Sequence, residues 1–246
     1  MERLVIIPTY NESENIEAIV KAVMTLPIDF HVLIIDDGSP DGTADLVKAM
    51  MRNEYNDRLF LIERAGKQGL GTAYICGFRW AIEHRYEYIF EMDADFSHNP
   101  QDLLKLYDVC ANEGADVAIG SRYVSGVNVV NWPMGRVLMS YFASKYVRFV
   151  LGLPVCDTTA GFKCYRRQVL ETIELDKIRF KGYAFQIEMK FTAYKCGFRL
   201  QEVPIIFVNR VLGTSKMSGG IFSEALLGVI CLKWSSFFRK YPQKKV

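Results

Sequence analysis

The 246-residue chain lacks net charge: 30 Lys and Arg stand against 28 Asp and Glu, leaving +2. A nucleic-acid binder wants a strong basic stripe, so that class is excluded as a partner. The six cysteines, Cys76, Cys110, Cys156, Cys164, Cys196 and Cys231, form no C-x-x-C pair, so neither a zinc site nor a redox motif is indicated. They read as reduced core thiols. A secretory leader is not expected from the opening residues, since Glu2 and Arg3 lead straight into a four-residue apolar run. A spanning helix needs about 20 mostly apolar residues. The best stretch, 221–238, is broken by Glu224 and Lys233. No GxxxxGK[ST] loop occurs, which excludes a P-loop NTPase. Gly69-Leu70-Gly71 fails as a dinucleotide fingerprint, since Tyr74 holds the third glycine position and the loop follows the third strand instead of the first.

What is present is an ordinary globular composition, half hydrophobic and 24% charged, with a surplus of 9 Met, 13 Tyr and 16 Phe. Short apolar runs at 4–7, 30–35, 59–62, 88–92 and 117–119 alternate with helical patterns over 16–24, 43–51, 72–84 and 101–113. Ile16, Ile19, Val20, Val23 and Met24 share one helical face, with Ser13 placed to cap it. This rhythm predicts an α/β fold with a mostly parallel sheet covered on both faces. Beyond Gly120 the rhythm is lost: 131–153 reads as an aromatic-biased helix, 154–167 as turn-rich, 185–194 as a helix and 199–208 as a strand. One catalytic domain over 1–220 is expected, divided into 1–123 and 124–220, with 221–246 as an amphipathic helix and basic tail.

Parallel sheets bind ligands beyond the carboxyl ends of their strands. Here those ends carry Pro8-Thr9-Tyr10-Asn11-Glu12, then Asp36 through Thr43, Arg64 through Gly71, Asp93 through His98, and Gly120-Ser121-Arg122-Tyr123. Carboxylates gathered on one rim fit a hard divalent cation, and interspersed Arg and Lys fit an anionic ligand. Asp93 and Asp95, one residue apart at a strand end, form the sharpest pair. Mg²⁺ or Mn²⁺ held by two carboxylates completes its shell with phosphate oxygens and water. An EF-hand is excluded, because no Gly follows Ser97-His98 and no Glu closes a twelve-residue loop. Asp36, Asp37 and Asp41 all fit turn formers, the reading favoured for Asp41, while Asp37 is the one better placed to accept hydrogen bonds from a base or ribose.

Together these segments resemble the family-2 inverting glycosyltransferases of the GT-A, Rossmann-like nucleotide-sugar-binding fold. Asp36-Asp37-Gly38-Ser39-Pro40-Asp41-Gly42-Thr43, Asp93 through Pro100 and Gly120-Ser121-Arg122-Tyr123 are most similar to the dolichol-phosphate, or polyprenol monophosphate, mannose synthases. Asn131-Trp132-Pro133, Thr159-Ala160-Gly161-Phe162 and 210–216 are similar too, so the likeness runs from Leu4 to about Trp234. It implies transfer of mannose from GDP-mannose to dolichyl or polyprenyl phosphate. Pro8, Tyr10, Glu12, Ile35 and Asp37 would line base and ribose. Asp93, Ala94 and Asp95 would meet the donor diphosphate, with Asp93, Asp95 and Ser97 on the metal; some relatives carry Gln where Ser97 stands, and Ser is the poorer ligand. Arg122, Arg136 and Ser140 would grip the acceptor phosphate, and Arg210 and Lys216 belong to a loop closing over the donor. Catalysis would rest on Asp95, Arg122, Arg136 and Ser140.

Transfer to a phosphate brings two anions together, and arginines with a cation offset their repulsion. A phosphate monoester is ionised near pH 7, so no general base is required. Glu188 reads equally as a sugar or cation ligand and as a buried packing carboxylate. Arg166, Arg167, Arg179 and Lys181 read as a solvated face. The C-terminal pattern of Phe222, Leu226, Val229, Ile230, Trp234 and Phe237, followed by Arg239, Lys240, Lys244 and Lys245, suits an anionic membrane surface. The enzyme would then be peripheral on the cytoplasmic face, with room for a membrane-anchoring partner subunit. Three other activities compete. A UDP-glucose-dependent polyprenyl-phosphate glucosyltransferase is one, although many such relatives carry two C-terminal spans. A sugar nucleotidyltransferase would want a basic, Gly-rich loop where Pro8 to Glu12 lies. A non-catalytic nucleotide-sugar binder is disfavoured by the intact Asp93/Asp95 pair.

Overall fold

In the computed structural model, residues 2–209 and 220–244 are described. Strand and helix alternate through the first half as expected. The order is β1 Arg3–Thr9, α1 Ile16–Met24, β2 His31–Asp36, α2 Thr43–Asn53, β3 Leu59–Glu63, α3 Leu70–Glu83, β4 Tyr88–Glu91, α4 Asp102–Ala111 and β5 Val117–Ser121. The second half adds β6 Val129–Val130, α5 Met134–Leu151, β7 Lys163–Arg166, α6 Arg167–Thr172, α7 Tyr183–Lys195, β8 Leu200–Pro204, β9 Phe207–Val208 and α8 Gly220–Ser236.

The central sheet runs β3-β2-β1-β4-β7-β5-β8, while β6 and β9 form a small parallel pair. All central pairings are parallel except those of β7, which lies antiparallel between β4 and β5. Both sheet faces are buried, so alternate strand residues feed two cores. Leu4, Ile6, Leu33 and Ile35 face α3 and the second-half helices, and Val5, Ile7, Val32 and Ile34 face α1, α2 and α4. That explains strands apolar at every position. Close helix approach needs small residues: a Cβ on Gly77 would come within 2.7 Å of Ile6, and one on Gly71 within 2.7 Å of the Phe185 ring.

Three expectations are corrected. Ser13 does not cap α1; the N-cap is Asn15, and the Ser13 amide instead donates to Asp41 Oδ2. The segment 154–167 is not all turn, because β7 sits in the middle of the sheet; its Lys163 is buried against Glu91, which makes a charged residue tolerable there. The strand read over 199–208 is two strands, β8 and β9, that belong to different sheets.

Candidate active site

The ends of β1 and β2 are laced together. Pro8 pairs with Ile35 and Thr9 with Asp36. Asp36 accepts from Thr9 Oγ1 at 2.8 Å, from the Ser39 amide at 2.9 Å and from Ser39 Oγ at 2.6 Å. The Asn11 amide donates to Ser39 Oγ, and the Glu12 amide to Thr43 Oγ1. Burial pushes the Asp41 carboxyl up, but hydrogen bonds from Thr43 and Ser13 outweigh it and hold it at about 2. Asp36 and Asp41 are therefore loop organisers. Asp37 sits one residue beyond, bonded to Arg64 Nε at 2.6 Å, and Arg64 also donates to Thr72 Oγ1 in the first turn of α3. The Lys67 ammonium lies 5.2 Å from the Tyr10 ring centroid, which brings the β3–α3 loop over the β1 end. Tyr10, Glu12 and Asp37 thus share one wall.

The end of β4 carries the carboxylate pair. The Asp93 side chain is about two-fifths exposed, and Asp95 is buried. Between Asp95 and Ser97, Phe96 holds φ +58°, a conformation that is strained for a bulky side chain and recurs at ligand sites. The Ser97 amide donates to Asp95 Oδ1 at 3.0 Å, while Ser97 Oγ is buried with no hydrogen-bond partner among the described groups. An orphaned hydroxyl beside a buried carboxylate fits a site completed by a cation. No cluster of three or more His, Cys, Asp or Glu that could hold a metal occurs among the described residues, so a cation held by this pair would need further ligands from phosphate or water.

The end of β5 carries the basic side. Arg122 forks onto Asp157, with Nε and Nη2 at 2.7 and 2.6 Å, and its amide donates to the same carboxylate at 3.0 Å. Burial opposes the Asp157 charge; Arg122 overcomes it and holds the carboxyl below the usual range. Arg136, on the first turn of α5, lies 3.9 Å above the Trp132 ring and donates to Asn209 Oδ1. Ser140 Oγ accepts from the Tyr123 hydroxyl at 2.8 Å. Arg122, Arg136 and Ser140 therefore belong to one cluster.

Below the rim lies a buried polar network that the sequence reading did not assemble. Lys163 pairs with Glu91 at 3.1 Å and also bonds Gln186, and Gln186 donates to Glu91 at 2.7 Å. Lys190 donates to the Ala160 carbonyl at 2.7 Å, and burial pulls its amine well below the ordinary lysine range. Asp157, the Arg64 bond to Asp37 and this network give no local sign in the sequence, because their partners are 23 to 95 residues away. Glu188 packs through one oxygen, Oε2, which accepts from the Arg179 and Phe180 amides, while Oε1 is buried with no partner among the described groups. That fixes the loop whose Lys181 carbonyl accepts from the Gly71 amide. Arg166 and Arg167 are not merely solvated; they bond the Cys110 carbonyl and Glu87. Arg210 and Lys216 lie outside the described residues.

The C-terminal helix differs from a single apolar stripe. Val229 and Leu232 pack inward, whereas Leu227, Ile230, Trp234, Phe237 and Phe238 are exposed. No helix among the described residues is long and apolar enough to cross a membrane. The tail folds back, with Lys244 Nζ 2.8 Å from Asp116.

The rim thus carries a carboxylate pair beyond one strand end and two guanidinium groups near another. Residues 4–174 match the family model described as Glycosyl transferase family 2, and the chain belongs to that family. It is 48% identical over 226 residues to the polyprenol monophosphomannose synthase of Mycolicibacterium smegmatis, covering 92% of this chain and 84% of that relative. To the undecaprenyl-phosphate mannosyltransferase of Micrococcus luteus it is 46% identical over 229 residues, 93% of each. It shares the fold of a Pyrobaculum calidifontis mannosyltransferase solved with GDP-Man and Mn²⁺, at TM-score 0.62 and 17% identity, covering 98% of this chain and 66% of that one.

Proposed function

We propose that this glycosyltransferase moves mannose from GDP-mannose to a polyprenyl phosphate, with inversion at the anomeric carbon. The observation that carries the reading is the 46–48% identity to two polyprenyl-phosphate mannosyltransferases across more than nine-tenths of the chain. The rim geometry agrees with it. Pro8, Tyr10, Glu12, Ile35 and Asp37 form the base and ribose wall, with Arg64 orienting the Asp37 carboxylate. Asp93 and Asp95, with Ala94 between them and Ser97 as third protein group, would hold Mg²⁺ or Mn²⁺. Such a cation neutralises charge on the departing nucleoside diphosphate. Arg122, Arg136 and Ser140 receive the acceptor phosphate, an anion already able to attack without a base. Arg122 is fixed in place by Asp157, so its position is set before the ligand arrives. Arg210 and Lys216, which lie outside the described residues, are assigned to the donor diphosphate by the resemblance alone.

The acceptor is a lipid, and the surplus aromatic residues meet it on two helices. On α5, Met134, Leu138, Phe142 and Phe149 are exposed within one arc of the helix, and α5 packs beside α8 with its own exposed Leu227, Ile230 and Trp234. This face lies on the cytoplasmic surface of a membrane, with Lys145, Lys233 and Lys240 toward anionic headgroups. A separate anchoring subunit is not required by this arrangement.

The test supplies the purified protein with Mg²⁺ or Mn²⁺, a polyprenyl phosphate and labelled GDP-mannose or UDP-glucose, and follows label into the lipid phase. Label from GDP-mannose is the expected result. Label only from UDP-glucose would overturn the donor, and no transfer by a folded, nucleotide-binding protein would overturn the activity.

A further inference from the structure

We propose that Trp132 is a positioning residue that sets the two acceptor arginines relative to each other and to the carboxylate loop. The inference rests on the acceptor role given above to Arg122 and Arg136, and it concerns a side chain with no assigned role in that reading.

Both guanidinium groups lie over the same indole, Arg136 at 3.9 Å and Arg122 at 5.5 Å from its centroid. Two like charges that close repel, and the electron-rich ring face offsets part of that repulsion. Arg122 also has Asp157, and Arg136 also donates to the Asn209 amide oxygen, so the indole is the contact that the two guanidinium groups share. The same indole meets Phe207 edge-on at 5.3 Å. Phe207 meets His98 edge-on at 5.4 Å, and His98 stacks on Phe162 at 4.8 Å. His98 Nδ1 in turn accepts the Asp93 amide at 3.3 Å. A run of rings therefore joins the acceptor arginines to the Asp93 loop.

Local backbone delivers Trp132 to this place. Strands β6 and β9 pair Val129 with Phe207 and Val130 with Val208, and the Val208 amide donates to the Ser97 carbonyl. Asn131 then adopts φ +60°, which turns the chain off the strand end, and Pro133 N-caps α5 directly before Arg136. The small sheet thus ties three things together: the carboxylate loop, the indole and the helix bearing Arg136. Trp132 Nε1 is buried with no acceptor among the described residues, so the ring face is the part that acts here.

The experiment varies both substrates in steady state for Trp132→Leu and Trp132→Phe. Losing a cation–π platform worth about 1–2 kcal/mol predicts roughly a tenfold rise in the KM for polyprenyl phosphate in Trp132→Leu. The KM for GDP-mannose is expected to stay unchanged, and Trp132→Phe, which keeps a ring, is expected to restore most of the acceptor affinity. A second measurement does not depend on the Leu variant folding. With Trp80 and Trp234 replaced by Phe, Trp132 is the sole tryptophan. Its emission is expected to change on adding a water-soluble short-chain prenyl phosphate and to stay constant with inorganic phosphate at the same concentration. An unchanged acceptor KM in Trp132→Leu, equal damage in both variants, equal rises in both KM values, or emission blind to the prenyl phosphate would overturn the inference. Absence of mannosyl transfer by the folded wild-type protein would instead overturn the function on which it rests.

Discussion

The two halves of the rim are built by different means. On the donor side, groups sit at the ends of neighbouring parallel strands, and their bonds join loops that the sheet already places side by side, as with Thr9, Asp36 and Ser39. On the acceptor side, Arg122 is held by Asp157, 35 residues later, and Arg136 by Asn209, 73 residues later. The donor half is scaffolded by topology. The acceptor half is scaffolded by particular side-chain pairs, and its stability and function should be coupled more tightly.

Five substitutions break or sharpen that contrast. The largest effect on stability is expected from Asp157→Asn, which leaves the Arg122 guanidinium buried without its counter-charge. Loss of one partner of a buried pair costs about 3–5 kcal/mol, read from urea denaturation. Asp95→Asn should behave in the opposite way. Transfer of labelled mannose should fall on the order of 10²–10³-fold, while the denaturation midpoint holds, because an amide oxygen can still accept the Ser97 amide. If Asp95→Asn unfolds the protein, the distinction between the halves fails. A smaller effect is expected from Phe149→Ser and Trp234→Ser, both largely exposed in the structure. Each should weaken sedimentation with anionic vesicles roughly tenfold, the worth of one large apolar side chain, with no change in melting. Retained vesicle binding in the double variant would remove the α5–α8 face from the account. The smallest effect belongs to Lys244→Ala, which removes a part-exposed ammonium from the buried Asp116 carboxylate just before β5; a loss of about 1 kcal/mol is expected by the same denaturation measurement, because the Arg199 amide still donates to Asp116. A loss of several kcal/mol there would show that the tail, and not Asp157, dominates the stability of the acceptor half.

The same contrast explains what was legible in the sequence. The donor half could be read because its signals are local: an apolar run, then Asp-Asp-Gly-Ser or Asp-Ala-Asp, repeats the strand-to-loop logic within ten residues. Strand β7 was not legible, since Lys163 at its start argues for surface until Glu91 and Gln186 are known to meet it. Asp157 gave no local sign of its role, lying in a turn-rich stretch beside other small polar residues. Arg122, Arg136 and Ser140 were picked out by resemblance, and only the structure shows Trp132 beneath both guanidinium groups. The C-terminal helix was read with one apolar face because a helical wheel cannot say which apolar residues meet the core. Val229 and Leu232 turn inward, and Ile230 and Trp234 turn out.

The central claim is that one enzyme carries separate donor and acceptor halves for mannosyl transfer to a lipid phosphate. The most direct measurement is initial-rate transfer of labelled mannose with both substrates varied, comparing wild type, Asp37→Asn and Arg136→Leu. The account predicts transfer from GDP-mannose by wild type, a raised KM for GDP-mannose alone in Asp37→Asn, and a raised KM for polyprenyl phosphate alone in Arg136→Leu. Either variant moving the other substrate's KM, or a folded wild-type protein that leaves the label in the nucleotide sugar, would contradict it.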